Sequence, residues 1–536
     1  MSSSAVAADK QSPAEAAEAA KIQRDAVISR ATAFINGSAS IAARRAEADT
    51  FDANDAIVDA NGTEHVRFQR SYNGLPVIGG DFVVHSRNDQ VSKISQTLST
   101  SNRPSTTPGI SSDEAIVEAG AHFGGNFVGA PSSRLVIYAR GASPVLAHEV
   151  ILNGIKADQT PTEMHYFVDA RSGKILAQWD GIETARPGPG GGGCTATAAV
   201  GTGNSLTLGS VVLNTSSCNG QYQLTDLTRG GGKTSNMALK TSGLGSDLVD
   251  TDNTWGNGLL SNSQTVAADA HFGVAMTFDY YKVVHGRNGI ANDGKGALSR
   301  VHYGRNYQNA FWSDSCFCMT FGDGDNGASI LPLVALDVAG HEMSHGVMSR
   351  SANLTYSGES GGLNEANSDI FGSMVEYFTN DANDTPDYVI GEKLFPNNTN
   401  GYNALRWMFK PSLDGASPDC YAPNIGGLDV HYSSGVANHF YYLLAEGAVV
   451  PAGFGVGTPK GLTPASLVCN GNTSITGIGR SAAEKIWYRA LTVYMTSGTN
   501  YANARASTLS AAADLYGNGS AKYNAVAAAW SAVSVN

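Results

Sequence analysis

Charge is scarce in this chain: only 15% of its 536 residues are Asp, Glu, Lys or Arg. The balance is acidic, with 35 Lys and Arg against 47 Asp and Glu and a formal net charge of -12. There is no basic surplus to neutralise phosphates or an anionic lipid face, which argues against nucleic acid or a membrane surface as partner. No run of 18 apolar residues occurs, so no segment is suited to span a bilayer as a helix. Residues 1–9 lack the basic start and apolar middle of an export signal. Ala5-Val6-Ala7 nonetheless resembles the tail of a cleavage site, as expected of a secreted protein whose signal has been trimmed.

Cysteine is absent before position 194 and then appears six times, at 194, 218, 316, 318, 420 and 469. An even set fits disulfides in an exported protein. Many pairings are open to six cysteines, and 194–218, 316–318 and 420–469 are the nearest in sequence. The 316–318 pair would close a very small ring. A cysteine-based zinc site is the competing reading, but Cys316-Phe317-Cys318 has one residue between its thiols and no partner pair at zinc-ribbon spacing.

Histidine is sparse too, yet two of the 12 stand four apart in His341-Glu342-Met343-Ser344-His345. On a helix, positions i and i+4 share a face, so both imidazoles can reach one ion. A catalytic zinc takes three protein donors and leaves a position for water. Glu365, within Gly361-Gly362-Leu363-Asn364-Glu365-Ala366-Asn367-Ser368-Asp369, offers the third. Glu342 lies one step round from His341 and can face an activated water as general base. A bare His-Glu-x-x-His pattern arises by chance in many solvated helices. Here the apolar run Leu333-Val334-Ala335-Leu336-Asp337-Val338-Ala339 leads into it, so a buried helix is expected. Imidazoles and a carboxylate in a core need a partner, and a metal supplies one. Asp369, four residues after Glu365, is placed to accept a hydrogen bond from a donor imidazole. The residues point to a zinc hydrolase, most simply a peptidase.

Over nearly all of residues 195–536 the chain also resembles the thermolysin family of secreted zinc metalloendopeptidases. Asn309-Ala310-Phe311-Trp312, Gly322-Asp323-Gly324-Asp325, the Glu365 motif and Asp429-Val430-His431-Tyr432-Ser433-Ser434-Gly435 follow the family's order. Their wording is most like soil-bacterial members such as those of streptomycetes. The resemblance implies one zinc on His341, His345 and Glu365, with nineteen residues between His345 and Glu365. It implies Glu342 as the carrier of a proton from water to the leaving amine. Asp369 would orient His341, and Tyr356 and His431 would donate to the oxyanion. Asn309 and Ala310 would lie on an edge strand that pairs with extended protein or peptide substrates. Arg406 would contact a substrate carbonyl beside an apolar pocket of Val338, Ile390 and Leu405. Cleavage on the amino side of a bulky hydrophobic residue is therefore expected.

Calcium, one ion or more, is implied at Asp337, Glu376, Asp387 and Glu392, since converging carboxylates suit a hard cation. Ordinary surface acids are the other reading of these four. Three more residues separate Glu376 from Asp387 than in thermolysin itself, which puts a second calcium in doubt. Gly426 stands where the family has the acid that orients its catalytic histidine, and Asp429, two residues before His431, is the available substitute. Met348 and Ser351 occupy positions where a metzincin needs Gly and His. From another class, the alternative is a catalytically silent zinc protein that binds or inhibits peptidases. Glu342, Tyr356 and His431 occurring together argue against it.

The expected fold is α+β. Residues 1–48 are Ala-rich and read as a helix with loose ends. A first module is expected over 49–105, where Val66 and Phe68 alternate with polar neighbours and Asn73-Gly74 signals a turn. A second, over 106–185, opens on a capping box at Ser111-Ser112-Asp113-Glu114. Strands follow near 134–139, 146–152 and 164–179. Both modules resemble thermolysin-type propeptides, the first through His65-Val66-Arg67-Phe68 and Gly74-Leu75-Pro76-Val77, which implies an intramolecular chaperone and inhibitor. The Gly- and Pro-rich stretch 186–194 reads as a flexible maturation linker. A mainly β domain is expected over 195–345, ending in the His341 helix, and a helical one over 346–536. In the latter, Ser481-Ala482-Ala483-Glu484 is expected to cap a helix, and 501–515 and 520–533 to form two more. The enzyme is expected to be a monomer, with its cleft between the β-rich and helical halves.

Overall fold

Alternating strands and an Ala-rich helix at the start of the chain bury one common apolar layer. A computed structural model describes residues 13–182, 196–396, 398 and 401–536; the expected linker, Cys194 and the stretch around Ala5-Val6-Ala7 lie outside these. The described residues form two compact units, one within 13–111, 135–148 and 169–172, the other within 112–134, 149–168, 173–182, 196–396, 398 and 401–536.

In the first unit, helix α1 (Pro13–Asn36) covers an antiparallel sheet. Strand 64–72 lies between 49–58 and 82–87, with Val66 opposite Val84 and Phe68 opposite Phe82. Val27, Ala31 and Ile35 of α1 pack with Val66, Phe68, Phe82 and Val84. Asn73 and Gly74 both have positive φ, 49° and 78°, so the turn expected there joins 64–72 to 75–78. Arg70 is fully buried and tied to Asp49 at 2.7 Å and to the carbonyls of Ala43 and Gly80. Those bonds offset the cost of bringing a guanidinium out of water.

The second unit opens with α2 (Ser112–Ala121) and an antiparallel hairpin in which His165 opposes Trp179. Its β-rich part holds a five-stranded sheet, built around Thr197–Asn204 and Ser210–Cys218. A second, six-stranded sheet contains Gly232–Asn236, Leu298–Tyr303 and Cys318–Gly322 in parallel. Ala310–Ser313 pairs antiparallel with Cys318–Gly322 and forms the edge.

The mainly β expectation for this region misses one long helix, α3 (Ser263–His285), capped by the Asn262 side chain and ended by Gly286 at φ 70°. Val266, Ala267, Ala268, Asp269, Ala270 and His271 are all buried in succession. A helix covered on most sides shows no apolar stripe, which is why period 3.6 did not reveal it.

Helices α4 (Leu336–Ser349) and α5 (Gly358–Thr379) cross at glycine. A Cβ added at Gly372 would lie 2.6 Å from the Asp337 carbonyl oxygen, and one at Gly340 would lie 3.0 Å from Gly372 Cα. The backbones approach this closely because neither position carries a side chain. After them come the short α6 (Val430–Ser433), then α7 (Gly435–Glu446), α8 (Arg480–Arg489), α9 (Tyr501–Tyr516) and α10 (Ala521–Ala532). Phe440 stacks on Trp530 at 3.7 Å within their core. The capping box expected at Ser481 does not form: α8 has its N-cap two residues earlier, at Gly479, with no side-chain cap. Glu484 instead accepts a hydrogen bond from Tyr280 Oη, 2.8 Å away. Cys316–Cys318 and Cys420–Cys469 are bonded.

Candidate metal centre and active-site cleft

Placing His341 and His345 one turn apart on α4 brings their Nε2 atoms to 3.0 Å. Two imidazoles at that distance cannot both be charged, so a proton or a cation must lie between them. From α5, Glu365 presents Oε2 at 3.5 Å from His341 Nε2 and Oε1 at 3.5 Å from His345 Nε2. All three are buried and their donor atoms lie within 4.8 Å of one another. Glu365 Oε2 is buried without a hydrogen-bond partner, which is costly for a carboxylate unless a cation serves it.

The outer ring nitrogens are also engaged. His341 Nδ1 meets Asp369 Oδ1 at 2.9 Å, and His345 Nδ1 meets Asn364 Oδ1 at 2.8 Å. Asp369 is held in turn by Arg406 through two bonds of 2.7 Å and by Asn438 Nδ2 at 2.7 Å. Sequence reasoning assigned no role to Asn364 or Asn438; only the neighbouring Glu365 signalled the first, and nothing local signals the second. Burial depresses the His345 imidazole to about 4. On His341 burial acts in the same direction, but Asp369 and Glu365 outweigh it and raise the group to about 10. Glu342, buried beside them, is pushed up to about 7 by desolvation.

A cleft of about 480 Å³ is lined by Glu342, His341, His345, Glu365, Tyr356, Arg406 and His431. Tyr356 Oη donates to Glu365 and lies 3.2 Å from His431 Nε2. His431 Nδ1 is 2.8 Å from Asp429 Oδ1, the substitute expected for the acid missing at Gly426. Asn309 and Ala310 line the cleft at the edge strand, and Val338, Ile390 and Leu405 supply an apolar wall with Leu333. Lys156, Thr160, Gln178, Trp179, Asp180 and Ile182, all N-terminal to the expected linker, line the same cleft.

A second group of donors gathers Asp337, Glu376 and Glu392 within the same 4.8 Å limit. Asp387, expected with them, is not in that group; its Oδ1 accepts from Val389 N at 2.6 Å. Asp384, which sequence reasoning missed, is 1% exposed with neither carboxylate oxygen hydrogen-bonded, and its Oδ1 is 3.5 Å from Lys393 Nζ. Burial, then the mutual repulsion of these acids, drives Glu376 and Glu392 well above the usual carboxylate range. Asp337 rises to about 7, mainly through burial. Acids so placed either hold protons or share a cation.

Comparison with known proteins agrees with this architecture. Residues 200–349 match the thermolysin metallopeptidase catalytic domain, residues 352–535 its alpha-helical domain, and residues 49–98 the fungalysin/thermolysin propeptide motif. A transglutaminase-activating metalloprotease of Streptomyces mobaraensis is 47% identical over 490 residues, which cover 90% of this chain and 60% of that protein. Thermolysin from Bacillus sp. (strain EA1) is 38% identical over 498 residues, covering 89% of this chain and 84% of that one. The solved precursor of protealysin, a metalloproteinase from Serratia proteamaculans, is 28% identical with a TM-score of 0.44, covering 56% of this chain and 87% of that one. The domains matched over residues 200–349 and 352–535 are those of a metallopeptidase. The chain belongs to the thermolysin family of zinc metalloendopeptidases and carries that family's propeptide motif.

Proposed function

We propose that this chain is the self-inhibited precursor of a secreted zinc endopeptidase that cuts on the amino side of bulky hydrophobic residues. The observation that carries the reading is the buried His341–His345–Glu365 donor set with Glu342 beside it in one cleft. The unpartnered Glu365 Oε2 and the facing Nε2 atoms fit a tetrahedral ion that takes nitrogen and oxygen. Zinc, when bound, supplies a Lewis acid for the scissile carbonyl and for water.

Glu342 takes a proton from the attacking water and hands it to the leaving amine, a role suited to a carboxyl that burial has made more basic. Tyr356 Oη and His431 Nε2, 3.2 Å apart, converge as donors for the oxyanion. Asp429 holds the His431 ring, and Asp369 holds His341 in the tautomer that leaves Nε2 free to bind. An extended substrate adds as a strand along Ala310–Ser313. Arg406, pinned by Asp369, presents its remaining face to a substrate carbonyl. Val338, Ile390 and Leu405 favour a large apolar side chain after the scissile bond.

Asp337, Glu376 and Glu392, with Asp384 beside them, would hold a calcium ion, whose charge would offset the repulsion among these acids at the start of α4 and the end of α5. Two closed disulfides suit an oxidising environment outside the cell. Among the described residues no helix is long and apolar enough to cross a membrane. The proregion runs to about residue 185, and the mature enzyme starts beyond the 186–194 linker.

The test is intact-mass spectrometry of the precursor over time with zinc and calcium, beside Glu342→Gln, which keeps the donors and removes the base. Cleavage near the linker by the wild type alone, followed by casein digestion, is expected. Two proteins that mature alike would move processing to another protease. If neither form cuts casein after the proregion is removed, the chain is a silent zinc binder.

A further inference from the structure

The tight turn between Val145–Ile155 and Pro161–Asp169 carries a glutamine in a conformation that side chains avoid. Gln159 sits at φ 73°, a left-handed geometry in which glycine would be more comfortable. The turn is internally closed: Gln159 N donates to Lys156 O, Lys156 N to Thr160 O, and Thr160 N to Asp158 Oδ1. What the glutamine side chain does there is specific. Its Nε2 donates to Arg305 O at 2.8 Å, and its Oε1 accepts from Arg305 N at 2.9 Å. The carboxamide thus copies a peptide unit and pairs with a single residue's backbone in both directions.

The surroundings complete a receptor for this turn. Thr160 Oγ1 lies 3.2 Å from Tyr307 Oη, and Tyr303 Oη, whose single proton has its nearer acceptor in Thr241 O at 3.1 Å, lies 3.4 Å from Gln159 O. Gly304, at φ 67°, leaves room: a Cβ there would stand 3.2 Å from Gln159 Oε1. Lys156 and Thr160 of the turn line the same cleft as Glu342 and His431. The contacts reach only to 303–307, a few residues before the edge strand at Ala310–Ser313.

We propose that this turn is the inhibitory latch of the precursor, and that the backbone of Arg305 is its receptor. The latch rests on the reading of the proregion as an inhibitor and specifies where its hold lies. The prosegment is retained after linker cleavage by a carboxamide clamp at the rim of the cleft, outside the metal donors. Position 159 precedes the linker, so the mature enzymes released from wild type and from Gln159→Ala are identical. Any difference between them must come from the prosegment.

The experiment follows linker cleavage by mass and hydrolysis of a peptide reporter in parallel, for wild-type and Gln159→Ala full-length precursors. With two backbone hydrogen bonds lost, the inhibition constant of the cleaved prosegment should rise roughly tenfold to a hundredfold. Hydrogen exchange is read separately in uncleavable Glu342→Gln precursors. There the Arg305 amide should exchange at least about tenfold faster once Gln159 is Ala. An unchanged inhibition constant, with a normal lag in the wild type, overturns the latch alone. A wild-type precursor active from the outset overturns the latch together with the self-inhibited reading. Should Gln159→Ala fail to fold, the Arg305 amide is compared between the wild-type precursor and the mature enzyme purified free of its prosegment, and equal exchange rates refute the contact.

Discussion

Replacing Gly372 by Ala sets two effects of opposite sign against each other, and the structure says which should win. Alanine in a helix interior is favoured over glycine by about 1 kcal/mol, so propensity alone predicts a more stable protein. The added Cβ, however, would stand 2.6 Å from the Asp337 carbonyl oxygen, against an ordinary contact of 3.4 Å or more. The obstacle is backbone at the first turn of α4, with no side chain to swing aside. Overpacking of this kind costs about 1–3 kcal/mol, so a net loss of up to about 2 kcal/mol is expected after the propensity gain. Relief requires α4 and α5 to part by several tenths of an ångström, which carries His341 and His345 away from Glu365. Displacements approaching 1 Å cost on the order of a hundredfold in rate. Gly120 in α2 supplies the control, because a Cβ there meets nothing closer than Phe127 at 3.9 Å. Thermal unfolding of precursors should therefore show Gly372→Ala melting earlier and Gly120→Ala unchanged or later. Peptide hydrolysis by the mature Gly372→Ala enzyme should be about tenfold to a hundredfold slower. A Gly372→Ala protein that melts later than wild type and keeps full activity would refute the claim that this contact sets the donor geometry.

Removing Asp369 strips the partner from His341 Nδ1 and from Arg406. Asp369→Ala should weaken zinc binding about 10–100-fold in competition with a chromogenic chelator, and unchanged affinity would contradict the positioning role. Tyr356→Phe keeps the ring and loses the donor, so kcat should fall by about 10²–10³ with KM little changed; a change confined to KM would argue for a binding role instead. Calcium chelation should lower Tm, and raising calcium to about 100 times its Kd should restore about 2.7 kcal/mol. A Tm independent of calcium, or one that Glu376→Gln leaves responsive as before, would count against the Asp337–Glu376–Glu392 site. His165 lies against Glu149 and Glu163, at 2.9 and 3.0 Å, and is raised to about 9 because these two outweigh the lowering effect of burial. A raised imidazole stabilises the fold fully below its unfolded value near 6.5 and ceases to do so as pH climbs through about 9. The contribution is of order 3 kcal/mol. Unfolding of the Glu342→Gln precursor between pH 6 and 10 should show that loss, and His165→Gln should flatten it.

Much of this protein could be read from local pattern. The i, i+4 spacing of His341 and His345 is a property of any helix, so the pair of donors followed from sequence as soon as the flanking run marked the helix as buried. The turn at Asn73-Gly74 and the helices near 501–515 and 520–533 likewise rest on neighbours in the chain. Helix α3 did not show itself, because burial on most sides erases the stripe that betrays a surface helix. The cap expected at Ser481 failed because the last turn-forming residue, Gly479, starts the helix sooner. Asp384 has no periodicity to mark it and becomes conspicuous only once burial has taken its oxygens from water.

The order of residues along the chain thus holds the candidate donors and acids, and the motifs of a family of metallopeptidases. Tertiary structure decided how far apart they stand. Glu365 reaches the two imidazoles because Gly340 and Gly372 let two backbones touch. Arg406 and Asn438 converge on Asp369 from separate segments, and Gln159 finds Arg305 from 146 residues away. Side-chain type is inherited from the chain, but a distance between remote residues exists only after packing has chosen which surfaces to bury together.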